Sequence, residues 1–328
     1  MNIGLIGLGY WGKNLYRNLI INNKVEDIYI LDSKIKKFDK KKNVYFFDNK
    51  KEYFANHKNI DAFIIATPAS THYQFIEECL KLDKFVCVTK PFTSNYNEIK
   101  KLDKNFKNKE KIFLDHTYLF HSSIKYIKSL LDKKKLGKLI YYDSERISFG
   151  KFYNDVDVID DLAVHDLYIL DYLLKGEIPN QIDVNSQKIF GNKNFISTIA
   201  LNYPSGFFAN IKVSWYSPIK SRRILIAGDK KIIEFDDNES DKKIKIYNKG
   251  IEFKPTNKIN QMMYRTGEIE IPNILHQESL SLMIDELIKY SQNSKNNHKI
   301  FDHGKRVMMV LSKIKNKDSN ISSFLTIQ

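Results

Sequence analysis

No apolar run in this 328-residue sequence approaches the ~20 residues that a membrane-spanning helix requires. The chain enters an apolar strand at Asn2, so no signal peptide is expected. Cysteine is scarce: Cys79 and Cys87 are the only two. They fall in a predicted helix and a predicted strand, which is no disulfide framework. These absences point to a soluble, cytoplasmic chain without membrane association. Repeats and low-complexity domains are missing, and the basic residues gather around no recognisable nucleic-acid module, so no nucleic acid is expected as a partner. Too few His, Cys and carboxylate residues cluster to close a zinc site, so no metal is expected.

Acidic residues are also in deficit. Lys and Arg number 53 against 39 Asp and Glu, a net charge of +14. Much of the excess sits in Lys-rich, Asn-rich segments such as Lys34 to Lys42 and Lys100 to Lys111. These read either as solvated loops and helix faces or as a positive field drawing in anionic ligands. What is present is ordinary for a globular protein, with 42% hydrophobic and 13% aromatic residues. The length suggests about two domains with substantial cores.

The most informative stretch runs from Asn2 to Asn14. A short buried strand over 2–6 leads into Gly7-Leu-Gly-Tyr-Trp-Gly12, a G-x-G-x-x-G pattern, and then a helix with Leu15, Leu19 and Ile20 on one side. Gly7 permits a tight turn, Gly9 lets the backbone approach a pyrophosphate, and Gly12 lets helix and strand pack closely. Tyr10 and Trp11 lie within the same loop, and the helix N-terminus offers N–H groups to an anion. Asp32 ends the next apolar run, 20 residues after Gly12. A carboxylate there meets the adenosine ribose hydroxyls and favours NAD over NADP by repelling a 2′-phosphate. Ser33 and Lys34 soften that preference. The expected cofactor is NAD, with NADP as the alternative.

Strand and helix signals alternate to about residue 121, with strands over 2–6, 27–31, 43–47, 60–66, 85–89 and 111–115. This is the mark of a doubly wound parallel sheet, the Rossmann arrangement. Ligands in such sheets sit beyond the carboxyl ends of the strands. Two of these ends carry polar residues. In Ala66-Thr-Pro-Ala-Ser-Thr-His72, Pro68 stops the strand, and Thr71 either caps the next helix or joins Thr67 and His72 in lining the cofactor groove. In Phe85-Val-Cys-Val-Thr-Lys-Pro-Phe92, an apolar strand delivers Lys90 to the edge and Pro91 fixes the chain direction. Lys90 is either simply solvated or a cation that stabilises an alkoxide.

From residue 122 the pattern changes to an α+β domain with a large, mostly antiparallel open sheet, giving domains 1–121 and 122–328. A helix from Ile124 to Leu131 precedes a long strand from Leu139 to Phe149. A second helix begins near Asp155, with Asp161 and His165 one turn apart. His165 is either incidentally paired or a general base tuned by its neighbours. Meandering strands follow over 195–203, 206–215, 222–228, 231–236 and 242–248, with a hairpin turn at Pro204-Ser-Gly206. The sheet's other face is either wet or a subunit interface, and the alternating Phe208, Ile211, Val213 and Trp215 favour the interface. Thr256 to Thr266 reads as a mobile loop, and helices over 274–291 and 303–316 close the chain. Arg146 is a candidate for a substrate phosphate or carboxylate, or a cross-strand salt bridge. Tyr153 and Trp215 either stack on a sugar or base, or pack in the core.

Taken together, Gly7 to Asn14, Ala66 to His72, Thr89-Lys-Pro91 and Asp161-Leu-Ala-Val-His-Asp166 resemble the Gfo/Idh/MocA oxidoreductases over essentially the full length. Gly-Tyr-Trp-Gly and Val213-Ser-Trp-Tyr-Ser-Pro-Ile-Lys220 are similar to bacterial nucleotide-sugar dehydrogenases of cell-surface glycan pathways. The resemblance implies hydride transfer to NAD(P) and a second domain whose open sheet forms a homodimer or homotetramer. It also implies that Lys90 is the active-site lysine of the family's E-K-P motif, and that Asp161 and His165 form its D-x-x-x-H pair. Thr89 departs from the Glu usual before that lysine. The expected substrate is a sugar or nucleotide sugar, foremost a UDP-N-acetylhexosamine oxidised at C3. Free sugars or cyclitols, and a non-catalytic NAD(P)-binding sensor, are the alternatives.

Overall fold

The computed structural model describes residues 1–34, 43–150, 152–153, 156–255, 260–292 and 298–322. They form two compact units, 1–120 with 277–309, and 121–276 with 310–328. The first division falls after Phe120. A linear boundary misses the return of residues 277–309 to the first unit.

The first unit holds six strands: β1 (Ile3–Ile6), β2 (Ile28–Leu31), β3 (Val44–Phe47), β4 (Ala62–Ile65), β5 (Phe85–Thr89) and β6 (Ile112–Asp115). All pair in parallel in the order β3-β2-β1-β4-β5-β6. This is the doubly wound order that reverses direction between β1 and β4, where the chain leaves a crevice for a ligand. The strands are short, and β1, β2, β4 and β6 are buried along their whole length, as covering helices on both faces demand. The helices are α1 (Tyr10–Ile21), α2 (Lys50–Ala55), α3 (His72–Lys81) and α4 (Tyr96–Asn105). Asn49 and Asn95 cap α2 and α4 by accepting first-turn N–H groups.

The second unit begins with α5 (Ser122–Asp132) and β7 (Leu139–Phe149), followed by a π-helical turn over Ile159–Ala163 that runs into α6 (Val164–Leu173). Its remaining strands are β8 (Gln181–Lys188), β9 (Asn194–Asn202), β10 (Phe208–Ser214), β11 (Tyr216–Gly228), β12 (Ile232–Asp236), β13 (Ile244–Pro255) and β14 (Asn260–Glu270). The order is β14-β13-β12-β11-β7-β10-β9-β8, antiparallel except for β7 with β10. The sheet is therefore two meanders flanking β7, because the parallel β7–β10 pair requires a crossover. The helices α7 (Ser279–Gln292) and α8 (Lys299–Ser322) complete the chain.

Three expectations are corrected. The stretch 260–266, read as loop, belongs to β14, which pairs with β13; residues 256–259 lie outside the described ones. The strand β8 had no counterpart, because its alternation of Ile182 and Val184 with polar residues is short and flanked by more polar sequence. Ile211, Val213 and Trp215 are buried within the unit, while Phe208 is exposed. Phe208 differs in parity from the other three, so on a strand it points to the opposite face. The uncovered face carries charged pairs instead, with Lys212 3.0 Å from Glu145 and Arg223 2.9 Å from Glu234.

Candidate functional site

In the first unit, the glycine loop bears out its geometry. Gly7 lies at φ +94°, a region that side-chain-bearing residues rarely adopt. A methyl group at Gly12 would stand 2.1 Å from the Gly7 carbonyl oxygen, whereas one at Gly9 would meet nothing within 4 Å. Helix and strand thus touch at Gly12, and Gly9 leaves room for a close approach. Gly9 caps α1 and has no side chain to occupy the first-turn N–H groups. This cradle fits the pyrophosphate of a dinucleotide.

Asp32, just past β2, accepts from the Leu8 N–H at 2.6 Å through one oxygen and from the Lys34 N–H at 2.7 Å through the other. The carboxylate therefore ties the glycine loop to the end of β2. Each oxygen keeps a further lone pair for a ribose hydroxyl.

The other two strand ends are linked to each other. Thr71 Oγ1 donates to the Pro68 carbonyl at 2.8 Å and lies 2.7 Å from Thr67 Oγ1, within hydrogen-bond distance. Its hydroxyl holds the turn, and no side-chain cap of α3 forms. His72 is fully buried, its Nε2 2.8 Å from the Thr67 carbonyl and its Nδ1 2.9 Å from the Pro91 carbonyl. Burial lowers its pKa, against backbone contacts at Thr67, Pro91 and Phe92 and the charge of Glu98, which favour the cation. His72 thus clips the 66–72 turn to the segment carrying Lys90, and its ring contacts protein on both sides.

Asp115 was not foreseen. It ends β6 opposite Thr89 of β5 and is 1% exposed. Its Oδ2 accepts from Trp11 Nε1 and its Oδ1 from Thr117 Oγ1, each at 2.8 Å. Burial pushes the carboxyl up, while these hydrogen bonds and the charge of Lys90 pull it back. An acid closing an apolar strand was the available signal, as it was for Asp32.

In the second unit, Asp161 sits in the π-helical turn and accepts from Trp215 Nε1 at 3.0 Å. Such turns recur at functional sites. His165 follows in the first turn of α6 and is half-buried. Asp157 introduces the turn by accepting from the N–H groups of Ile159 and Asp160 at 3.0 and 3.1 Å. Burial and the neighbouring Asp160 push its carboxyl up to about 6. Arg146 is buried, its Nε donating to Asp166 Oδ2 at 2.7 Å, and Tyr142 donates to Asp166 Oδ1 at 2.5 Å. Tyr153 is 39% exposed, with its ring 6.2 Å from that of Trp215. Trp215 is itself buried against Phe195.

Residues 1–116 match the model of an oxidoreductase family with an NAD-binding Rossmann fold. The chain is 23% identical to 2,7-anhydro-N-acetylneuraminate hydratase of Escherichia coli over 258 residues, 73% of this chain and 68% of that protein. It is 28% identical to UDP-N-acetylglucosamine 3-dehydrogenase of Acidithiobacillus ferrooxidans over 169 residues, about half of each, 51% and 52%. A solved structure of that dehydrogenase superposes with a TM-score of 0.75 at 20% identity, covering 97% of both chains. A myo-inositol dehydrogenase from Corynebacterium glutamicum superposes at 0.77 and 14% identity, over 98% and 97%. At these identities the structural matches establish the fold.

Proposed function

We propose that the chain, whose residues 1–116 match an oxidoreductase family with an NAD-binding Rossmann fold, is a sugar dehydrogenase of the Gfo/Idh/MocA kind. It oxidises a secondary hydroxyl, foremost at C3 of a UDP-N-acetylhexosamine in cell-surface glycan synthesis. The observation that carries this reading is the Rossmann cradle followed by Lys90 at the β5 edge, with Asp161 and His165 in the second unit. Likeness over half the chain to a UDP-N-acetylglucosamine 3-dehydrogenase supports the substrate class.

Bound NAD supplies the hydride acceptor. The chain's own groups do the rest. His165 takes the hydroxyl proton as the carbon–hydrogen bond gives up its electron pair. Lys90 stabilises the charge developing on oxygen. Asp161, fixed by Trp215, orients the imidazole and balances its cation. Assembly as a homodimer or homotetramer through the uncovered face of the second sheet belongs to the same reading. Light scattering after size exclusion tests it, and a monomer at micromolar concentration would refute it.

The activity test is absorbance of NADH with NAD and a panel of UDP-sugars, free sugars and inositols. Turnover with a UDP-N-acetylhexosamine is expected. Turnover confined to free polyols would move the substrate class to sugars or cyclitols. Water addition or loss without net NADH would favour the chemistry named for the hydratase relative. NAD binding without any conversion would favour a sensor. His165→Asn should lower kcat by about 10²–10⁴-fold while leaving the NAD Kd within about twofold. Equal losses in both would refute the role of His165.

A further inference from the structure

Thr89 occupies the position where the resemblance leads one to expect a glutamate beside the lysine. It is buried and offers no charge. The neighbouring strand does. The β5 and β6 strands run parallel with Thr89 opposite Asp115, and adjacent strands lie about 4.8 Å apart. Asp115 is thereby brought beside the segment that leads into Lys90.

The carboxylate is held on both oxygens by donors from different elements, Trp11 in the first turn of α1 and Thr117 just after β6. Two neutral hydrogen bonds do not fully offset the cost of a buried carboxylate. A nearby ammonium adds to them, while burial still holds the carboxyl above its ordinary value. The charge of Lys90 does act on Asp115 in the direction that favours its ionised form. Other titratable groups at this end are a buried thiol, Cys87, the His116–His303 pair at 3.1 Å, and His72 on the Pro91 carbonyl, with Glu98 acting on His72.

We propose that Asp115 is the positioning residue for Lys90, supplying from β6 the negative charge that position 89 lacks. Through Trp11 the same carboxylate ties the lysine to the glycine loop. A nicotinamide cofactor and the reacting oxygen are thereby registered against one fixed group. The inference rests on the reading of Lys90 as the catalytic cation. Its test is chosen to be independent of turnover.

The test is ¹³C reductive methylation of the lysines of the full-length protein, saturated with NAD, followed by NMR titration. The Lys90 resonance is identified by its loss in Lys90→Arg. In Asp115→Asn, which keeps the shape and removes the charge, the Lys90 midpoint should fall by about one pH unit. In the double variant Thr89→Glu with Asp115→Asn it should return toward wild type. Equal midpoints in wild type and Asp115→Asn would overturn the proposal. So would a fall shared by many lysines and not reversed by Thr89→Glu, the mark of general structural damage. Turnover of Lys90→Met with NAD and UDP-N-acetylglucosamine tests the catalytic reading separately. Persistence there would remove the catalytic role of Lys90 without altering the coupling of its charge to Asp115, which the titration alone measures.

Discussion

Arg146 shows how a single residue's surroundings decide between two roles. Its side chain lies in a buried pair with Asp166, whose second oxygen accepts from Tyr142. Removing one partner of such a pair costs about 3–5 kcal/mol, because the other is left charged in a poor solvent. Arg146→Met should therefore lower the melting temperature sharply, and calorimetry reads this directly. An unchanged melting temperature with a raised KM for an anionic substrate would instead make Arg146 a recognition group. Asp32 is the other residue whose role turns on charge. Its carboxylate is fixed by two backbone N–H groups at the expected ribose position, so a 2′-phosphate would meet a like charge that cannot swing away. NAD should bind at least about tenfold tighter than NADP, a difference of ~1.4 kcal/mol. Titration calorimetry with both cofactors measures it, and equal affinities would sink the assignment.

The π-helical turn is the element that carries Asp161 and leads into His165, and Asp157 makes it sensitive to pH. An aspartate in the unfolded chain titrates near ~3.9, whereas Asp157 in the fold is pushed up to about 6. Between those values the native state holds a proton that the unfolded chain has released. Stability from this group is thus present at low pH and lost as pH rises through about 6. Asp157→Asn keeps an oxygen for the Ile159 and Asp160 N–H groups and removes the titration. The variant should gain on wild type between about pH 4 and 6 and hold that gain above it. Urea midpoints at four pH values decide the matter, and a pH-independent difference would refute it. None of this was legible in the sequence, since a π turn has no periodicity that distinguishes it from the α-helix into which it runs. What was legible rested on local rules. The glycine loop, Asp32 and the Lys90 strand end each announce themselves within a few residues. Asp115 opposite Thr89, β7 between two meanders, and the burial of Ile211 and Val213 depend on pairing between distant segments. Strand alternation shows that a strand has two faces without saying which one is covered.

At the scale of the whole molecule, the first unit is discontinuous, and this has an energetic consequence. The helix α7 packs Leu280, Met283, Ile284, Leu287 and Ile288 into the core that also holds Leu15, Leu19, Cys87 and Phe113. All five α7 side chains are nearly or fully buried. Polar contacts follow the same course, with Glu278 accepting from Asn18 at 3.0 Å and Tyr290 donating to the Glu110 carbonyl at 2.6 Å. Burial of a large apolar side chain stabilises by about 1.5–3 kcal/mol, so five contribute on the order of 10 kcal/mol. A domain's whole stability is about 5–15 kcal/mol. The sheet with its glycine loop therefore has no stability to spare without a helix that arrives more than 150 residues later in the chain. A polypeptide of residues 1–120 should not unfold cooperatively in urea and should bind no NAD, although it contains every residue proposed to hold the cofactor. Adding residues 277–309 through a flexible linker should restore both. A sharp urea transition with NAD binding in 1–120 alone would show that the strands and α1 to α4 suffice. It would also reduce α7 to a cover over a core already complete.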